Sequence, residues 1–218
     1  MTPGLLSRWC SAPYDRQRWV VLDVETTGLD VRQDQVLSVA ALGLHWRQSG
    51  AELVVADAFE ADLRPHAARA DHDNILLHGI GLGRQQQGGA PAQVLQALQA
   101  WLGHAPVVAF HAPFDRQFLA RACKAAGVTP LTRHWLDLAE LAPAAKPALA
   151  ARSLDDWLAV WGIVCRRRHC AAADVWATAQ LLLAVLAALP PDKRANWAHL
   201  VRLANSNRWL PRDRKSVV

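Results

Sequence analysis

The stretch Val20-Val21-Leu22-Asp23-Val24-Glu25-Thr26-Thr27-Gly28-Leu29 constrains this chain more than any other. An apolar run ends in two acids separated by one valine, and a Thr-Thr-Gly turn follows, so a buried strand carries carboxylates at its end. Side chains alternate faces along a strand, which puts Asp23 and Glu25 on one side and Val24 on the other. Two carboxylates held that close repel each other unless a cation or a shared proton lies between them. The pair reads as part of a divalent-metal site, against the plainer alternative of an acidic strand end facing water.

The rest of the chain bears on that choice. Its 218 residues suit one large domain with a proper core, and a composition of 52% hydrophobic and 20% charged residues is ordinary for a soluble protein. Arg8, Asp15, Arg16 and Arg18 interrupt the first twenty residues, which argues against a secretory signal. The longest apolar run, Leu181 to Leu189, is shorter than the roughly 20 residues of a membrane-spanning helix. A cytoplasmic protein with no membrane partner is the expectation.

Cys10, Cys123, Cys165 and Cys170 form no C-x-x-C pair and are expected as free thiols; Cys165, His169 and Cys170 lack the second half a closed zinc site needs. The net charge of +5 and pI near 9.4 are carried partly by the Arg166-Arg167-Arg168 run and by Arg202, Arg208, Arg212, Arg214 and Lys215 near the C-terminus. Such a surface suits a polyanion, because Lys and Arg release counterions from phosphates. Solvated basic surfaces are common, so charge alone decides nothing.

In chain order, residues 1–17 read as a flexible lead-in. Trp19–Val24, Gln35–Trp46 and Glu52–Leu63 read as three strands of an antiparallel meander, since parallel strands would need longer crossovers. Residues 71–83 are mixed, and 81–90, rich in glycine and glutamine, read as an exposed loop. Pro91 opens an amphipathic helix closed by Gly103. Ala105–Phe110 is a short buried strand feeding a helix that ends at Gly127, and a further strand is expected around Leu131–Leu138. Residues 142–152 read as a loop before a helix capped by Ser153. A long helix from Ala171 to Leu189 and a last one from Pro191 to about Asn205 complete an α/β pattern with a mixed central sheet flanked by helices.

Two further acids sit at structural junctions. Asp115 follows the buried strand at the start of a helix, and Asp174 lies among alanines in the first turn of the long helix. An acid on a core-facing turn is costly unless paired or metal-bound, although aspartate at a helix N-terminus also favours the dipole. His169 precedes Asp174 by five residues; on one helix the two would point about 140° apart. His169 is therefore placed on the preceding loop, where an imidazole can serve as a general base.

Taken together, Asp23-Val24-Glu25-Thr26-Thr27-Gly28, Phe114-Asp115 and Arg168-His169 with Asp174 resemble the three motifs of the DnaQ-like, or DEDDh, 3′-to-5′ exonucleases, the family that includes the epsilon proofreading subunit of bacterial DNA polymerase III. Leu77-His78-Gly79-Ile80 and Ser153-Leu154-Asp155-Asp156 extend the likeness across about residues 18–189. The resemblance implies an RNase H-like fold, an exonuclease domain over 18–189, and a C-terminal helix and basic tail over 190–218. It further implies that Asp23, Glu25, Asp115 and Asp174 hold two divalent ions, Mg2+ or Mn2+, that His169 is the general base, and that Thr26, Gly28, Leu29, His78 and Phe114 contact the substrate end. Two ions about 3.5–4 Å apart would neutralise the attacking and leaving oxygens of a phosphodiester. The expected partner is a nucleic acid with a free 3′ end, single-stranded DNA favoured, with a DNA polymerase as a possible second partner. Phe110 and His111 replace the family's usual His-Asn in the second motif. The short segment after the long helix favours a stand-alone or accessory exonuclease over a proofreading subunit. The alternatives are a nucleic-acid-binding or polymerase-docking module with incidental hydrolysis, and an exoribonuclease acting on short RNA.

Overall fold

The computed structural model describes residues 15–67, 72–131, 134–149 and 151–208. Expectations for the first fourteen residues and for the tail beyond 208 lie outside these. The core of the fold is a mixed five-stranded sheet in the order β3-β2-β1-β4-β5. Strands β1 (Arg18–Thr26), β2 (Val36–Arg47) and β3 (Gly50–Asp62) form the expected antiparallel meander. Strands β4 (Val107–Ala109) and β5 (Trp135–Asp137) then add in parallel beyond β1.

Alternation along β1 divides its side chains between two cores. Val20, Leu22 and Val24 face helices α3 (Pro91–Leu102) and α4 (Ala112–Ala125), joining Leu95, Leu98, Phe118 and Leu119. Trp19 and Val21 face the other way, toward α5 (Leu138–Ala145), α6 (Leu154–Trp161), α7 (Ala171–Ala188) and α9 (Trp197–Arg208), with α8 a short turn at Pro191–Arg194. Both faces of β1 are thus dry until Asp23, as expected of a central strand with helices on both sides. The 18 residues of α7 are apolar enough to cross a membrane by length and composition alone. Here Val175, Ala179, Leu182 and Leu186 are buried in the core, which accounts for that apolarity.

The structure departs from the sequence reading in three places. Residues 81–90 hold a short helix, α2 (Leu82–Gln87), where a loop was expected, with Gln85 buried and its side-chain amide donating to the carbonyl of Ile80 at 3.1 Å. It follows α1 (His72–His78). The first four residues of the expected loop at 142–152 are instead the end of α5, which starts at Leu138 under an Asp137 cap and contains Pro143. The segment after α7 forms two helices, and α9 is part of the core: Trp197 packs edge-on against Trp19 at 5.0 Å.

Candidate active site

The site forms at the carboxyl ends of β1 and β4, where strands stop and helices begin. Because β1 alternates, Asp23 and Glu25 project to the α7 side, in phase with Trp19 and Val21. On α7, Asp174 occupies the first turn and is 5% exposed. One carboxylate oxygen from each of Asp23, Glu25 and Asp174 lies within 4.8 Å of the others.

Asp115 reaches the same strand end from the opposite face of the sheet. It sits in the first turn of α4, is 2% exposed, and its Oδ1 accepts the backbone N–H of Val24 at 3.2 Å. The structure therefore gathers three of the predicted acids directly and fastens the fourth to the residue between two of them. His169 lies on the loop before α7, as expected, with left-handed backbone at φ 58°. Its N–H donates to Asp174 Oδ2 at 3.0 Å, which locks the loop to the helix.

The electrostatics are those of an underneutralised cluster. Burial raises the Asp23 carboxyl well above its ordinary value, and the charges of Asp115, Glu25 and Asp174 add to that rise while Arg168 opposes it. Glu25 is pushed from 4.5 to about 7, by burial first and then by Asp174, against Arg168 and Arg84. Asp115 is raised too, chiefly by burial and despite the N–H bonds it accepts. Hard carboxylate oxygens converging in a half-dry pocket fit a divalent cation, whose charge would remove the repulsion that raises these groups.

The residues expected to meet substrate occupy different surroundings. Leu29 is 86% exposed and lines, with Phe114, His111, Arg116 and Asn205, a groove of about 680 Å³. Phe114 packs against Phe118, ring centroids 4.6 Å apart and planes tilted by 44°. Thr26 is buried, with its hydroxyl donating to the carbonyl of Gly28 at 2.6 Å. Gly28 has a packing reason of its own: a Cβ there would come within 2.5 Å of the Asp34 carboxylate, which accepts from the Thr27 hydroxyl and the Asp30 N–H. His78 is buried at the end of α1, its Nδ1 accepting the N–H of Ile80 at 3.0 Å.

Residues to which sequence reasoning gave no part in the site also shape it. Arg168 pairs with Asp174, and its Nε donates to Asp155 at 2.5 Å. Asp137 accepts the N–H groups of His111 and Ala139, both at 3.0 Å, and burial raises its carboxyl. His111 takes left-handed backbone at φ 62°, a conformation in which both histidine and the family's asparagine are enriched. Cys165 directs its thiol at Asp174 Oδ1, 3.6 Å away, and Cys123, Cys165 and Cys170 are free.

A mixed sheet with helices on both faces and acids gathered at the ends of adjacent parallel strands is an RNase H-like nuclease architecture. Within that class the chain belongs to the RNase_T exonuclease family, whose profile matches residues 20–182. Among curated proteins it is similar to the PolC-type DNA polymerase III of Oceanobacillus iheyensis, 30% identical over 196 residues that cover 90% of this chain and 13% of that one. The Bacillus cereus counterpart is 29% identical over 172 residues, 78% of this chain and 11% of that one. This chain thus spans only about an eighth of these relatives. Among solved structures, the nuclease domain of 3′hExo, a DEDDh family member bound to rAMP, aligns with a TM-score of 0.68 at 16% identity, covering 78% of this chain and 92% of that one. Escherichia coli exonuclease I in complex with a dT13 oligonucleotide aligns at 0.64 and 17% identity, covering 78% of this chain and 40% of that one. At such identities the likeness establishes the fold.

Proposed function

We propose that residues 18–189 form a metal-dependent 3′-to-5′ exonuclease that hydrolyses the terminal phosphodiester of a DNA strand and releases nucleoside monophosphates. The observation that carries this reading is the convergence of Asp23, Glu25 and Asp174 within 4.8 Å, with Asp115 tied to the intervening Val24. These acids would hold two divalent ions, Mg2+ or Mn2+, which supply positive charge to the attacking water, the scissile phosphate and the leaving oxygen.

The chain's own groups account for the remaining parts. His169, on a loop fastened to Asp174 through its backbone, accepts the proton of the attacking water. Leu29 and Phe114, which line one groove, receive the terminal nucleotides, and Thr26 and Gly28 belong to the turn that leads from β1 into Leu29. His78 lies deeper and supports the substrate end from the α1 side. The likeness to PolC-type polymerases supports DNA as substrate and a polymerase as partner, and it supports a cytoplasmic location.

The test is digestion of 3′-end-labelled single-stranded DNA, mismatched duplex and short RNA side by side, with Mg2+, Mn2+ or EDTA. Metal-dependent shortening of the DNA from its 3′ end is expected, and full activity in Asp23→Ala would refute the assignment. Preferential digestion of the RNA would make the enzyme an exoribonuclease, and tight binding without cleavage would make it a docking module.

A further inference from the structure

The guanidinium of Arg168 is shared between two carboxylates of unlike surroundings. One terminal nitrogen pairs with Asp174 Oδ1, inside the three-acid cluster, while Nε donates to Asp155 Oδ1 at 2.5 Å, on the first turn of α6. The Asp174 side chain is 8% exposed and that of Asp155 is 63% exposed. Arg168 thus spans from the buried cluster to its rim. It is also close enough to oppose the burial-driven rise of both Asp23 and Glu25.

A group of buried like charges stays together only with protons or a counter-cation. Arginine cannot supply charge on demand by titrating, so its guanidinium is a permanent positive charge against a carboxylate that a metal ion would take. The backbone of the same loop does not depend on that contact, because the His169 N–H holds Asp174 through the other oxygen, Oδ2. Arg168 can therefore leave Asp174 by side-chain rotation while its Nε stays with Asp155.

We propose that Arg168 is a displaceable counter-cation of the acidic cluster: it covers Asp174 when no metal is bound, and withdraws onto Asp155 when a divalent ion enters. Asp155 is then a positioning residue, the second berth of the arginine. The proposal rests on the metal-ligand reading of Asp23, Glu25 and Asp174, and it separates from that reading by the signs of two substitutions.

The experiment is a calorimetric Mn2+ titration of the full chain at fixed pH, without nucleic acid, with circular dichroism to show that each variant is folded. Arg168→Gln removes the competing charge, so Mn2+ binds about tenfold more tightly, while the Tm in EDTA falls because the cluster loses its counter-charge. Arg168→Lys keeps the charge and stays within a few-fold of the parent. Asp155→Asn removes the second berth and drives the arginine back onto Asp174, so Mn2+ binds several-fold more weakly. Equal or weaker Mn2+ binding by folded Arg168→Gln overturns the proposal. A parent protein that binds no Mn2+ overturns the metal reading beneath it instead.

Discussion

The Asp115 carboxylate accepts the backbone N–H of Val24 across 3.2 Å, so helix α4 holds the strand residue that separates Asp23 from Glu25. That bond gives the acid two separable jobs, charge at the site and an acceptor for a buried donor. Asp115→Asn removes the charge and keeps an acceptor; Asp115→Ala removes both. Both variants should be inactive. Asp115→Asn should exceed Asp115→Ala in stability by about 1–3 kcal/mol, the cost of stranding a buried N–H, read by denaturant unfolding in EDTA. Equal stabilities would show that the bond contributes nothing.

The raised carboxyl of Glu25 sets a pH signature for the metal-free protein. Its folded value of about 7 lies above the ordinary 4.5, so between those values the folded state keeps a proton that the unfolded chain has lost. Stability from this group is fully present below 4.5 and is lost as pH rises toward 7. Asp23 is shifted in the same direction. In EDTA, the Tm of the parent minus that of Glu25→Gln should therefore fall across this window, measured by thermal melts at a series of pH values. A flat difference would mean that Glu25 is ionised throughout.

A divalent ion should reverse that loss, because it binds the ionised carboxylates of the folded state. At a Mn2+ concentration about 100 times its Kd, linkage gives about 2.7 kcal/mol, or a Tm rise of about 5–11 °C for a domain of this size. The rise should be larger at pH 8 than at pH 6, since protons compete at Glu25 and Asp23. Asp23→Asn should abolish it. Differential scanning fluorimetry with Mn2+ and with EDTA decides the matter.

Much of this site is legible in the sequence because its parts are covalently close to strong patterns. Asp23 and Glu25 interrupt an apolar strand, while Asp115 and Asp174 stand in the first turns of helices that each bury an apolar face. The inward contacts of Arg168 were not legible, since a run of three arginines carries no sign of which one turns inward; they reach Asp155 and Asp174 and join α6, the loop and α7. Helix α2 was missed for a similar reason. Its six residues, Leu-Gly-Arg-Gln-Gln-Gln between two glycines, are too few to show a helical period, and bonds from Arg84 to Asp62 and from Gln85 to Ile80 accompany it. In α5, Pro143 argued for a loop, whereas burial of Leu138, Leu141 and Ala142 and the Asp137 cap favour a helix.

Trp197 tests whether the segment after α7 belongs to the folding unit. It is 4% exposed and meets Trp19, which is fully buried on β1, edge-on at 5.0 Å. Trp197→Ala should cost about 3–5 kcal/mol, although it stands on α9 rather than on a catalytic element. Chemical denaturation should show this loss in a single transition. A loss below about 1 kcal/mol would make α9 an appendage.

Leu29 offers the reverse separation, of binding from stability. Its 86% exposure leaves it almost no packing to lose, whereas Phe114, on the same groove, also packs on buried Phe118. Leu29→Ala should therefore leave the unfolding free energy within about 0.5 kcal/mol of the parent. If Leu29 meets the terminal bases, burial of its side chain against them contributes about 1.5–3 kcal/mol at most, so KM for a single-stranded oligonucleotide should rise, by no more than about a hundredfold, while kcat changes less. Phe114→Ala should raise KM and lower Tm together. An unchanged KM in Leu29→Ala would move the substrate end out of this groove, leaving the exposure of Leu29 to be explained by another contact.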